Sequence, residues 1–168
     1  MGKVNSNNML SSFAKISKQW GLSEPVGRVW GFLLFSSKEV NQEQIEAGTE
    51  YSRGLVSRAL TKLKELKMIN IIRKGKVYFY SANTSLIRGF NNIITNFLEN
   101  ELESTIQTLS KNVTKINEKV VRQQVQRIIK EYKKLKIGML IFSKIMESIS
   151  LLTIENLRKT AQKYSINI

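Results

Sequence analysis

The hydrophobic period of this chain shortens only once. Before residue 67, apolar side chains recur at spacings of three and four, as helices that bury one face require. After Met68, Ile69, Ile71 and Ile72 lead into Arg73, Lys74, Gly75 and Lys76, then Val77, Phe79 and Tyr80. Two β-prone runs around a glycine-containing turn read as a β-hairpin. From Thr84 the helical period returns. No later proline breaks it, because the single proline of the 168 residues is Pro25. This pattern predicts a mainly α protein with one small hairpin.

The helices can be placed by their end signals. Residues 9–20 carry Leu10, Phe13, Ala14, Ile16 and Trp20 at amphipathic spacing, and Gly21 stops them. Ser23 offers an N-cap with Pro25 just inside a helix that runs to about Phe35. Asn41 and Gln44 form a capping-box-like pair at the start of a third helix, which Gly48 is expected to end. Ser52 caps a fourth helix to about Lys67, with Val56, Ala59, Leu60, Leu63 and Leu66 on one face. Beyond the hairpin, one stripe comprises Leu86, Phe90, Ile93 and Phe97, continued by Leu102, Ile106, Leu109, Val113 and Ile116. Another comprises Val121, Val125, Ile128, Tyr132 and Leu135. Both read as heptad-like seams, with turns expected near Asn117 and Gly138.

Composition excludes much chemistry. There is no Cys, no His and, on reading the sequence, no Asp. Thiol nucleophiles, disulfides, imidazole bases and most zinc sites are therefore ruled out. Glu43, Glu46 and Glu50 are the one tight acid cluster in the N-terminal half, and a solvated helix face explains them. An enzyme is not expected, nor a cofactor or metal. The most apolar run, residues 137–142, is far short of the roughly 20 residues that span a bilayer. No signal peptide is visible, so the expected location is the cytoplasm, without membrane association.

The net charge of +14 points to an anionic partner. Its distribution is uneven. Residues 53–76 hold eight cations (Arg53, Arg58, Lys62, Lys64, Lys67, Arg73, Lys74 and Lys76) against Glu65 alone, half of the protein's excess. If Val56, Ala59, Leu60 and Leu63 face inward, the fourth helix presents Ser52, Arg53, Gly54, Ser57, Arg58, Thr61 and Lys62 outward or at its borders. The arginines can fork onto guanine or phosphate, and the hydroxyls can donate to phosphate. Gly54 permits close approach. The hairpin tip, Arg73, Lys74, Gly75 and Lys76, can reach a minor groove or its flanking phosphates.

Helix, helix, turn, helix, hairpin over residues 24–82 is the order of a winged helix-turn-helix. Residues 45–60, with Ile45 packing in the first helix, Ser52 opening the second and Val56 and Leu60 facing the core, resemble the motif of MarR-type transcriptional regulators. Residues 63–69 resemble that family's passage into its wing, although Met68 stands where members commonly have Gly. Gly27-Arg28-Val29-Trp30-Gly31 is similar to a stretch of the GbsR subfamily; Trp30 itself is expected in the core. The resemblance covers residues 8–83. It implies a dimeric regulator with helices from both chain ends at the dimer interface, and it hints at a small osmolyte effector such as choline. A cage for such a cation needs converging aromatics, with Trp20, Trp30, Tyr51 and Phe32 available.

The expected organisation is an N-terminal dimer arm (residues 1–22), a winged helix-turn-helix DNA-binding domain (23–83) and a helical dimerisation region (84–168). The partner is double-stranded DNA carrying a roughly palindromic operator, bound by a homodimer that acts as a repressor. The effector is not identified by the sequence. Two other readings stand beside it. One is an architectural protein that coats DNA without sequence preference. The other is a winged helix that docks an acidic protein. The cations Lys111, Lys115, Lys119, Arg122, Arg127, Lys130, Lys133, Lys134 and Lys136 fit a solubilising surface or added contact with flanking DNA.

Overall fold

In the computed structural model, which describes residues 3–83, 85–164 and 166, the order of elements follows the hydrophobic period. Two compact units are present, Met1–Ile93 and Ile94–Ile168. The first contains helices α1 (Lys3–Gln19), α2 (Glu24–Phe35), α3 (Gln42–Thr49) and α4 (Arg53–Glu65), and strands β1 (Val40–Asn41), β2 (Ile69–Lys74) and β3 (Val77–Ala82). It also holds most of α5 (Leu86–Asn96).

The core of this unit is made by the residues that the spacing selected. Val26, Val29, Trp30 and Leu33 from α2 meet Ile45 from α3 and Val56, Ala59, Leu60 and Leu63 from α4. Trp30 is fully buried, and its ring packs edge-on against Phe13 of α1 at 5.2 Å. Each buried Val, Leu or Ile among them contributes roughly 1.5–3 kcal/mol of hydrophobic stabilisation. Helix α1 lies close on α2. A Cβ at Gly31 would meet the Phe13 ring at 2.8 Å, so glycine there sets the approach.

The helix ends differ from expectation in instructive ways. Helix α1 begins at Lys3 rather than near Met9. The capping box is present: Gln44 N–H donates to Asn41 Oδ1 at 2.9 Å, and Asn41 N–H donates to Gln44 Oε1 at 2.9 Å. Ser23 and Ser52 occupy N-cap positions, but neither side chain makes a capping hydrogen bond. Gly48 does not end α3. The helix continues to Thr49, and the left-handed residue is Glu50 (φ 59). Gly48 is needed for space instead, because a Cβ there would overlap the Phe32 ring. At the end of α4, Met68 N–H donates to Leu63 C=O and Lys67 N–H to Lys64 C=O, both at 2.9 Å. This is a Schellman cap with Lys67 (φ 55) in the left-handed place and Met68 fully buried. Position 68 therefore has no use for glycine.

The hairpin forms with Ile69↔Ala82 through Lys74↔Val77 in antiparallel register. The short strand β1, which alternation could not reveal in two residues, pairs Val40↔Tyr80 and Asn41↔Phe79. The sheet order is β1-β3-β2.

The second unit is helical. A π-helix (Phe97–Leu102) precedes α6 (Glu103–Asn112) and a 3-10 turn (Val113–Lys115); α7 (Lys119–Ile149) and α8 (Ile154–Lys163) follow. From Leu102 onward the expected stripe holds, whereas before the π turn and at its start the buried positions are Ile94 and Leu98 rather than Ile93 and Phe97. Leu98, Leu102, Ile106 and Val113 are buried, whereas Leu86 and Phe97 are exposed. The turn expected near Asn117 exists, but α7 passes Gly138 without a break. The inward face of α7 keeps Val125 and Tyr132 of the expected seam, both half-buried, but Ile129 is the buried residue between them in place of Ile128. Val121, Ile128, Leu135 and Phe142, seven residues apart, are exposed. Glu103 accepts hydrogen bonds from Lys136 Nζ and from Gln107 Nε2 (3.1 Å). Chiefly through these bonds, its carboxyl is held below the usual range. Among the described residues, no helix is long and apolar enough to cross a membrane.

Candidate nucleic-acid interface

Helix α4 sorts its residues as its amphipathic spacing requires. Val56, Ala59, Leu60 and Leu63 are buried. Ser52, Arg53, Gly54, Ser57, Arg58, Thr61 and Lys62 are all exposed, as are Arg73, Lys74, Gly75 and Lys76 at the hairpin tip. The wing turn is the two-residue step Gly75-Lys76, and Gly75 (φ 63) supplies the left-handed conformation that opens it.

Two clefts border the exposed face of α4. One, about 340 Å³, joins Arg53 at the start of α4 to Lys76, Val77 and Tyr78 of the wing, with Gln42 and Glu46 of α3 on its wall. Gln42 Nε2 donates to the Arg53 carbonyl at 3.3 Å, which ties the first turn of α4 to α3. The other, also about 340 Å³, sets Arg58 and Lys62 beside Leu22, Ser23 and Pro25. Helix α4 thus presents Arg53 on a cleft shared with Lys76 of the hairpin, and Arg58 and Lys62 on another.

The cations are not equivalent. Arg53, Arg58 and Lys76 have no ion pair among the described residues. Lys62 pairs with Glu65 at 3.2 Å, with both side chains about half exposed, so the pair is weak. Thr61 Oγ1 donates to the Ser57 carbonyl at 3.1 Å, which occupies the proton expected for phosphate. Arg73 Nε donates to the Gly75 carbonyl at 3.0 Å, and its guanidinium lies 5.9 Å from the Tyr78 ring. Lys74 Nζ pairs with Glu39 at 2.7 Å and lies 5.0 Å from the Phe79 ring. Glu39 was not legible as a partner, because its position beside the wing depends on β1.

Burial raises the Tyr80 phenol above its ordinary value, with a smaller push from Tyr78. Tyr51 is also raised by burial; Arg28 opposes this and Glu24 adds to it. Both phenols therefore keep their donor protons at neutral pH. The four aromatics considered for a cation cage do not converge. Trp20 and Trp30 meet edge-on at 6.5 Å, Tyr51 lies against Arg28, and the Phe32 ring fills the space above Gly48.

No family model and no curated protein sequence matches this chain. Among solved structures, a transcriptional regulator superposes with a TM-score of 0.65 over 88% of this chain and 99% of its own, at 10% identity. MepR, a transcription regulator of the Staphylococcus aureus multidrug efflux pump MepA, matches at 19% identity. It covers 79% of this chain and 93% of MepR, with a TM-score of 0.40, too loose to carry weight. The first likeness is one of fold. With α4, the three-stranded sheet and the following helices, this chain has a mainly α winged-helix fold like that of the solved structure described as a transcriptional regulator.

Proposed function

We propose that this chain is a sequence-specific DNA-binding transcriptional regulator of the MarR type, with GbsR-like features in α2. The observation that carries the reading is the shared exposure of the polar face of α4 and the basic wing tip, whose cations Arg53, Arg58 and Lys76 have no ion pair among the described residues. In this reading the start of α4 enters a major groove, where Arg53 or Arg58 meets guanine. The wing contacts the adjoining minor groove or its phosphates. Ser52, Gly54, Ser57, Thr61 and Lys62 border the reading surface, and Arg73, Lys74, Gly75 and Lys76 form the wing contact. Fold likeness to a transcriptional regulator supports the same reading.

The protein acts in the cytoplasm as a homodimer on a roughly palindromic operator and represses by occupying promoter DNA. Residues 1–22 serve as an arm, 23–83 as the DNA-binding domain and 84–168 as the dimerisation region. The exposed apolar row Val121, Ile128, Leu135 and Phe142 supports self-association, since rows of that length on a 31-residue helix are usually covered.

Substitution tests the assignment directly. Arg58→Ala is expected to weaken binding to the preferred sequence by about 1–3 kcal/mol and to relax its specificity. Lys74→Ala should weaken all DNA sequences alike and lower the salt slope. Folded variants that both bind like the parent in fluorescence-anisotropy titrations would show that α4 and the wing are not the reading surface.

A further inference from the structure

Arg28 is the one charged residue buried among those described, at 8% exposure. A guanidinium out of water is costly unless its N–H groups are matched. Here they are matched by neutral acceptors from two different helices. Nε donates to the Thr49 carbonyl at 2.9 Å, in the last turn of α3, where helix carbonyls concentrate partial negative charge. Nη1 donates to Ser11 Oγ at 2.9 Å, and Nη2 donates to Asn7 Oδ1. Both of those residues belong to α1. The guanidinium carbon also lies 5.5 Å from the Tyr51 ring centroid. Asn7 passes the link onward, because its Nδ2 donates to Glu50 Oε2 at 3.2 Å.

Thr49, Glu50 and Tyr51 lead from α3 toward α4, and Glu50 takes the left-handed conformation that turns the chain. A single guanidinium therefore touches Thr49 and Tyr51 directly and reaches Glu50 through Asn7. An apolar side chain of similar size fills such a space at less cost. What the planar fork adds is direction: three donors fix three acceptors at once.

We propose that Arg28 is a positioning residue for DNA reading, which sets the entry angle of α4 by holding the turn before it. The clamp is completed by Asn7 and Ser11, so α1 is part of the reading head. A displacement of α1 is then transmitted to α4 through this contact. The inference rests on the proposed DNA-binding role of α4.

The test compares Arg28→Lys, Arg28→Met and Asn7→Ala with the parent. Lysine keeps the charge but lacks the fork. Circular dichroism establishes which variants fold. In Arg28→Lys, amide exchange at residues 50–53 should accelerate by about tenfold or more relative to the β2 and β3 amides. Affinity for the parent's selected DNA should fall roughly tenfold, the loss expected for a mis-aimed base contact. Affinity for random DNA, which depends on charge, should stay within about threefold. If Arg28→Met does not fold, Arg28→Lys and Asn7→Ala carry the comparison. Parental exchange at the turn, or a parental ratio of selected to random binding in folded Arg28→Lys, overturns the proposal. A parent protein that retains no DNA sequence overturns the DNA-binding reading instead, while exchange still decides whether Arg28 holds the turn.

Discussion

Replacing Lys67 by Gly should make the first unit more stable, although it removes a side chain. Lys67 sits at φ 55, the left-handed place of the cap that ends α4. An L-residue there costs about 1–2 kcal/mol relative to right-handed backbone. Glycine avoids that cost but gives back about 0.4–1 kcal/mol through the freedom of its unfolded chain. The side chain is exposed, so little packing is lost. The bonds at this corner use the backbone and survive: Lys67 N–H to Lys64 C=O, Met68 N–H to Leu63 C=O, and Asn92 Nδ2 to Lys67 C=O at 3.3 Å. The net expectation is about 0.5–1 kcal/mol of stabilisation. Urea unfolding followed by tryptophan fluorescence is the suitable assay, because Trp20 and Trp30 both lie in this unit. With a urea dependence of about 1–1.5 kcal/mol per M, the midpoint should rise by roughly 0.3–1 M at unchanged slope. Lys67→Ala, which removes the charge but keeps the Cβ, should not raise it. An unchanged or lower midpoint in Lys67→Gly would refute the reasoning about the cap.

Other predictions concern the wing and the core. Glu39→Gln should free Lys74 for phosphate and so strengthen DNA binding and steepen its salt dependence, as read by titration at several salt concentrations. Gly48→Ala should destabilise by about 1–3 kcal/mol, because its Cβ forces the Phe32 ring to move; thermal unfolding measures this. The raised phenols of Tyr51 and Tyr80 give a pH sign. The folded state holds these protons more tightly than the unfolded state, so their contribution is complete below the ordinary value near 10 and is lost as pH rises through the raised folded values. Urea midpoints across alkaline pH should therefore fall, and less steeply in Tyr51→Phe.

Sequence periodicity went far in the first unit because its signals are local. Val56, Ala59, Leu60 and Leu63 are one face of one helix, and burying them leaves Arg53 and Arg58 outside. Gly75 between two β-prone runs defines a turn by itself. Features that depend on distant partners were not legible. The pairing of Lys74 with Glu39 requires β1, a strand of two residues that has no period to read. The Arg28 network joins residues 21 positions apart in one direction and 17 or 21 in the other. Spacing selected Ile128 where Ile129 is the buried residue, because α7 carries apolar residues on more than one face. Before the π turn and at its start, the choice of Ile93 and Phe97 over Ile94 and Leu98 failed for the same reason, while Leu102, Ile106 and Val113, which follow, are buried as expected.

The central claim is that this chain selects a DNA sequence, and selection itself tests it most directly. Full-length protein would be incubated with random and genomic fragments at about 150 mM salt, where contacts to phosphate alone are weakened. The account predicts recovery of one roughly palindromic motif, with half-sites about one helical turn (~34–36 Å) apart. Fragments retained without a common motif, or no retained fragments, would contradict it.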